Sequence, residues 1–198
     1  KCEFQQGVNK VILTPQYDKS VYKSDPEIVR ARYEQLKKKV KEILPEMELY
    51  LGNEIMLCND IALKLDKGRI FSLADSRYAL IEFYPSVQYS LMEKSLKELL
   101  NGGYIPIVAH CERYKCLRTA FNGIHTKNVS HLVEMGAYMQ ANVTSVFGRD
   151  SKFVIKMIDN DYLHFVASDA HDLEKRGVHW DKCIKFLNKK YNRNYLEQ

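Results

Sequence analysis

The sequence lacks long apolar runs, paired cysteine motifs and low-complexity segments. Because a bilayer needs ~20 consecutive apolar residues, we expect no membrane insertion. No signal-peptide pattern is present, so we expect a cytoplasmic protein. The 5 cysteines include no CxxC pair, which argues against a disulfide framework or a zinc ribbon. We expect all 198 residues to form a single domain.

Positive charge is in mild excess, with a formal net charge of +5. Much of it falls in residues 30–41 and 182–193, which have the pattern of amphipathic helices with solvated basic faces. The alternative is that these basic residues bind an acidic or phosphorylated partner. Nucleic-acid binding is not expected, because no motif of interleaved aromatic and basic residues accompanies the charge. The sequence leaves oligomerisation possible.

Apolar runs of strand length alternate with amphipathic helical patterns along the whole chain. This alternation predicts an α/β fold with a parallel sheet, either an open doubly wound sheet or a (β/α) barrel. A helix is predicted to begin at Ser24, which has capping-box spacing to Glu27. The predicted strands are residues 8–14, 47–55, 78–83, 104–109, 137–142 and 163–167.

Polar residues follow these strands where each one ends. Since the carboxyl ends of parallel strands converge on one face, we expect these side chains to share a pocket. Carboxylates held together repel one another unless a cation balances them. Mixed Asp, Glu and His ligands suit Mn²⁺, Fe²⁺ or Zn²⁺ better than Ca²⁺. The strand-end residues are Gln16, Glu54, Glu82, His110, Asn142, Asp169 and His171.

Two arginines follow the predicted ligands closely along the chain. Arg113 and Arg176 can form surface ion pairs, or they can bind an anionic phosphate at the rim of the pocket. Metals and arginines around a water predict a phosphoester hydrolase. A cysteine phosphatase is excluded, because its signature would need an arginine at position 117, where the chain has Leu117.

With these residues, the chain resembles the polymerase-and-histidinol-phosphatase (PHP) superfamily. Within it, the chain is most similar to the manganese-dependent protein tyrosine phosphatases of bacterial capsule and exopolysaccharide loci. The motifs Ala-His-x-Glu-Arg and Ala-Ser-Asp-x-His are specific to this branch. The matching segments are residues 6–8, 14–15, 52–55, 79–83, 107–113, 140–142 and 164–171.

The resemblance implies a PHP-type distorted (β/α)7 barrel with up to three divalent metals, usually Mn²⁺. It implies phosphate binding by Arg113 and Arg176. Its substrate would be phosphotyrosine on the tail of a bacterial tyrosine kinase that controls polysaccharide export. The residues at the family's metal-ligand positions are Glu54, Glu82, His110, Asp169 and His171.

The chain departs from the family in two places. It contains no His-x-His motif, so we expect the first strand–helix unit to lie upstream of Lys1 and fewer metals to bind. Gln16 stands where the family has histidine, and an amide oxygen is a poorer ligand than imidazole. A degenerate relative that binds phosphotyrosine without hydrolysing it is therefore an alternative. Another PHP activity, such as histidinol phosphate hydrolysis, is disfavoured by Glu112-Arg113.

Overall fold

The structure is a computed structural model that describes residues 1–18, 25–120, 123–174 and 176–191. Helices and strands alternate along most of its length, as the sequence pattern predicts. The helices are α1 (Cys2–Gln5), α2 (Pro26–Ile43), α3 (Ile61–Asp66), α4 (Tyr89–Asn101), α5 (Thr126–Glu134), α6 (Val143–Phe147), α7 (Ser151–Asp159) and α8 (Trp180–Lys190).

The strands are short. They are β1 (Lys10–Leu13), β2 (Gln16–Tyr17), β3 (Glu48–Leu51), β4 (Glu54–Met56), β5 (Tyr78–Glu82), β6 (Ile105–Val108), β7 (Arg118–Thr119), β8 (Gly123–Ile124), β9 (Tyr138–Asn142) and β10 (Phe165–Ala167).

A six-stranded sheet in the order β10-β9-β6-β5-β4-β2 forms the centre of the fold, and every pairing in it is parallel. A parallel pair, β1 with β3, lies just upstream of the pair formed by β2 and β4. The hairpin of β7 and β8 is antiparallel, and the sequence pattern did not predict it. The parallel α/β architecture is confirmed, as in PHP-type folds.

The predicted strand 47–55 is wrong in one respect, because the structure breaks it into β3 and β4. Gly52 and Asn53 form the break. A Cβ atom at Gly52 would lie 2.7 Å from Leu73 Cδ2 and 3.2 Å from Leu73 Cα, so a larger residue there would require Leu73 to shift. The buried Asn53 side chain accepts from Phe71 N–H at 2.8 Å and donates to Pro15 carbonyl at 2.8 Å. Side-chain hydrogen bonds thus replace the interrupted ladder.

Helix α2 begins at Pro26, and the structure describes its start from Asp25 onward. Ser24 lies outside the described residues, and Asp25 is the N-cap, where its side chain accepts from Glu27 N–H at 2.9 Å. Proline at the first helical position is compatible with this cap.

The sheet curves so that its two ends approach each other. Helix α1 precedes β1, which leads into the edge strand β2, yet Glu3 contacts residues that follow the opposite edge strand, β10. Its carboxylate accepts from Ser168 Oγ and Trp180 Nε1, both at 2.8 Å. The core between sheet and helices is apolar and includes Ile55, Ile81, Val108 and Met139, all fully buried.

Candidate active site

Glu54, Glu82 and His110 converge on one point of the sheet. Glu54 opens β4 just after the break, Glu82 ends β5, and His110 follows β6 by two residues. The register pairs Met56 with Glu82, which brings the neighbouring strand ends level. One ligand atom from each of the three residues lies within 4.8 Å of the other two. These three residues are called the carboxylate–histidine triad below.

The imidazole of His110 points at both carboxylates. Its Nε2 lies 3.0 Å from Glu54 Oε1 and 3.1 Å from Glu82 Oε1, and only 2% of the side chain is exposed. This buried nitrogen nevertheless has no hydrogen-bond partner among the described residues. A buried nitrogen facing two carboxylate oxygens at such short range fits the donor set of a transition metal ion.

Protonation in the triad follows from the same contacts. Burial lowers the pKa of His110, but the neighbouring Glu54 and Glu82 carboxylates outweigh burial and raise the pKa to about 9. Burial alone would raise the pKa of Glu82, yet the side chains of His110 and Gln16 hold that pKa below its ordinary value. Without a cation, the triad therefore keeps a proton on the imidazole and a charge on Glu82.

Gln16 borders the triad as a hydrogen-bond donor. Its Nε2 donates to Glu82 Oε2 at 2.7 Å. The register places Gln16 opposite Glu54, on the neighbouring strand β4. In this arrangement the amide orients a carboxylate.

The other ring nitrogen of His110, Nδ1, faces Tyr114, a fully buried side chain. Phe83 N–H donates to the Tyr114 hydroxyl oxygen at 3.1 Å, and this oxygen lies 3.3 Å from His110 Nδ1. Whenever Nδ1 carries its proton, the tyrosine oxygen accepts from it, which leaves Nε2 directed at the carboxylates.

A second cluster forms around Asp169, directly after β10. Its Oδ2 accepts from Arg176 Nη2 at 2.6 Å, Asn142 Nδ2 at 2.8 Å and Arg113 Nη2 at 2.9 Å. Burial raises the pKa of Asp169, but hydrogen bonding and the charges of Arg176 and Arg113 outweigh it and lower that pKa. Both arginine side chains stay partly exposed, at 39% and 44%, so solvent can reach the guanidinium groups.

His171 belongs to this second cluster and is more exposed than Asp169. Its Nδ1 is 2.9 Å from the Asp169 carbonyl oxygen and 3.6 Å from Asp169 Oδ1. Among the described residues, Asp169 and His171 are not members of the triad's 4.8 Å group. The structure thus separates the predicted ligands into the triad and the arginine-bound Asp169 cluster, and the ligand roles of Asp169 and His171 stay predictions.

The residues that sequence reasoning did not assign are Tyr114 and Gln140. Tyr114 carried no signal in the sequence, because its role depends on packing against β5 and β6. Gln140 stands two residues before Asn142, and this alternation would have placed both amides on one face of a strand.

Cys111 supports the exclusion of a cysteine phosphatase. Its side chain is fully buried, and burial raises the pKa of the thiol well above its ordinary value. A thiol that keeps its proton and does not meet solvent cannot serve as a nucleophile toward an external substrate.

Fold and site together define an α/β protein that carries a candidate metal site beside two arginines at the carboxyl edge of a parallel sheet. Over residues 1–198, the sequence matches the family described as capsular polysaccharide synthesis, CpsB/CapC. The chain belongs to this family, as the sequence resemblance predicted.

Among curated proteins, the chain is similar to the tyrosine-protein phosphatase YwqE of Bacillus subtilis. The two are 33% identical over 196 residues, which cover 96% of this chain and 75% of that protein. It is also 32% identical over 197 residues to the tyrosine-protein phosphatase CpsB of Streptococcus pneumoniae, covering 95% of this chain and 79% of that one.

A solved structure shares the fold. It comes from work on YwqE of Bacillus subtilis and CpsB of Streptococcus pneumoniae, which are described there as metal-dependent tyrosine phosphatases. The TM-score is 0.84 at 32% sequence identity, over 96% of this chain and 76% of that chain. In the described part of the present chain, no helix is long and apolar enough to span a membrane.

Proposed function

We propose that this protein is a metal-dependent protein tyrosine phosphatase. The observation that carries the proposal is the carboxylate–histidine triad lying at the same sheet edge as the two arginines on Asp169. The similarity to proteins named tyrosine-protein phosphatases supports it.

We propose that Glu54, Glu82 and His110 hold a divalent cation, and that the cation is Mn²⁺. The buried His110 Nε2 faces two carboxylate oxygens and has no hydrogen-bond partner in the part of the chain that the structure describes, which is the environment of a ligand atom. Asp169 and His171 are proposed as ligands of a further cation. A bound divalent cation would supply an activated water and polarise a phosphoryl oxygen.

We propose that Arg113 and Arg176 bind the phosphate of the substrate. Their guanidinium groups meet at one oxygen of Asp169, so their donors already converge on an anionic oxygen atom. A phosphate dianion offers more acceptor oxygens than the carboxylate does. Gln16 would meanwhile keep Glu82 oriented by its hydrogen bond at 2.7 Å.

For the substrate, we propose phosphotyrosine on the tail of a bacterial tyrosine kinase that controls capsule or exopolysaccharide export. Membership of a capsular polysaccharide synthesis family supports this choice. We propose a cytoplasmic location, and the cysteines, all present as free thiols, are compatible with a reducing compartment. We further propose that residues 1–198 act as one domain and contribute most of a distorted PHP-type (β/α)7 barrel, which the curvature of the parallel sheet supports.

The test is hydrolysis of a phosphotyrosine peptide with and without added Mn²⁺. We expect turnover with Mn²⁺, its loss on chelation, and its loss in His110→Ala. The matched control is His131→Ala, because His131 is half exposed and pairs with Glu93 at 3.2 Å, outside the triad. Absence of Mn²⁺-stimulated turnover in the unmodified protein would refute the proposal.

A second candidate is a phosphotyrosine-binding protein without turnover. The hydrogen bond from Gln16 to Glu82 favours it, since the amide donor occupies Oε2 of this carboxylate and leaves only Oε1 to contact a cation. Peptide binding measured by calorimetry together with turnover separates the two. In the binding-only case, Gln16→His should introduce turnover, whereas a substrate panel including histidinol phosphate tests for another phosphoesterase activity.

A further inference from the structure

Two residues of the site have strained backbone, one in each cluster. His110 has a φ of +34° and Asp169 a φ of +48°, and neither is glycine. Left-handed backbone in such residues is unfavourable and persists when surrounding contacts hold it. His110 follows β6 and Asp169 follows β10, and the strand between them in the sheet is β9.

Two amide side chains of β9 connect these strained residues. His110 N–H donates to Gln140 Oε1 at 2.7 Å, and Gln140 Nε2 donates to Asn142 Oδ1 at 3.2 Å. Asn142 Nδ2 then donates to Asp169 Oδ2 at 2.8 Å. Because Gln140 and Asn142 are two residues apart on one strand, their side chains share a face.

The direction of this chain of hydrogen bonds is fixed at both ends. A backbone N–H can only donate, and an ionised carboxylate can only accept. Both amides must therefore present oxygen toward His110 and nitrogen toward Asp169, and neither can flip without two acceptors or two donors facing each other. Gln140 and Asn142 are each only 5% exposed, so water cannot readily replace a lost hydrogen bond between them.

We infer that Gln140 and Asn142 are positioning residues that act as one relay. The relay ties the backbone of His110 to the carboxylate of Asp169, and so sets the spacing between the triad and the arginine-bound cluster. Its importance for catalysis rests on the proposed function, whereas its existence as a connected chain does not.

The first experiment uses the metal-free protein and measures the chemical shift of the His110 backbone amide proton by NMR. Asn142→Ala removes the contact with Asp169 and leaves Gln140 in place. We expect the His110 amide proton to move upfield, because Gln140 loses the partner that fixes its far end. An unchanged shift would overturn the inference, since the two contacts would then be independent.

The second experiment measures kcat/KM with Mn²⁺ and a phosphotyrosine peptide. Gln140→Glu still accepts from His110 N–H but cannot donate to Asn142, so it breaks the relay with almost no change of volume. We expect Gln140→Glu and Asn142→Ala each to lose about ten- to a hundredfold. Gln88→Glu is the matched control, because the same change there falls on an exposed residue at the N-cap of α4.

The double variant decides whether the two amides act together. A single relay predicts a loss in Gln140→Glu/Asn142→Ala close to that of the worse single variant, while the product of the two losses would overturn it. If Gln140→Glu fails to fold, the NMR measurement on Asn142→Ala still decides. Failure of the proposed function is distinguishable, because the unmodified protein would then show no Mn²⁺-dependent turnover while the NMR result stands.

Discussion

Removing divalent cations and raising the pH should destabilise the folded chain through His110. The carboxylates of Glu54 and Glu82 outweigh the effect of burial and raise the pKa of this histidine from 6.5 to about 9. Between these two values the folded protein holds a proton that the unfolded chain has already released. Stability contributed by His110 is thus fully present below pH 6.5 and is lost as the pH rises through about 9.

The magnitude follows from proton linkage. One extra proton bound by the folded state gives a slope of about −1.4 kcal/mol per pH unit in the free energy of unfolding. From 6.5 to about 9, this slope accumulates to about 3 kcal/mol. The contact between His110 and Glu82 also lowers the pKa of Glu82. Because it is the same contact, the shift of Glu82 is not added to this free energy.

The assay is urea unfolding in the presence of a chelator at several pH values between about 6 and 9, with His110→Gln as the comparison. Buried thiols also titrate: burial raises the pKa of Cys111 and Cys183, which lowers stability above about pH 8.5 in both proteins. The difference between the two slopes therefore isolates His110. Equal slopes in the two proteins would refute the reasoning.

Two further predictions concern buried hydrogen bonds near the site. Asn53→Ala leaves Phe71 N–H and Pro15 carbonyl without their partner, so we expect the free energy of unfolding to fall by about 2–3 kcal/mol in urea titrations. Tyr114→Phe leaves the buried Phe83 N–H unpaired, and we expect a loss of about 1–3 kcal/mol together with weaker Mn²⁺ binding by calorimetry.

Two control variants at exposed positions test whether burial determines these effects. Asn160→Ala removes an exposed amide that donates to Lys156 carbonyl, and Tyr104→Phe removes an exposed hydroxyl bonded to Asp66. Both should change stability by much less than the buried variants. Stability losses as large in the controls would show that burial does not determine the effect, and unchanged Mn²⁺ affinity in Tyr114→Phe would show that its hydroxyl does not position the His110 ring.

The sequence predicted the sheet well where strand patterns are local. Residues 78–83 and 137–142 were expected as strands and correspond to β5 and β9. The break between β3 and β4 could not be predicted in the same way. It depends on Asn53 meeting Phe71 and Pro15, which lie 18 and 38 residues away, and on Leu73 packing against Gly52.

The site was predictable in the same measure. Glu82 ends β5 and His110 follows the adjacent parallel strand β6, so strand order alone brings them together. The partners of Asp169 are harder to foresee, because Arg113 ends a short 3-10 helix after β6 and Arg176 lies in an irregular segment, and the course of both depends on packing. The direction of the hydrogen bonds through Gln140 depends on the two ends of the chain of amides, which no local pattern in the sequence reveals.

The two clusters of the site carry opposite charge, so each favours a different kind of ion. The triad sets two carboxylates against one imidazole, so it favours a cation. The second cluster sets two guanidinium groups against one carboxylate, so it favours an anion. A cation bound by Nε2 must displace the proton of His110, and Mn²⁺ affinity should therefore rise with pH up to about 9. Inorganic sulfate, which stays a dianion over this pH range, should bind the proposed arginine site of the metal-free protein without this dependence, and a shared dependence would contradict the division.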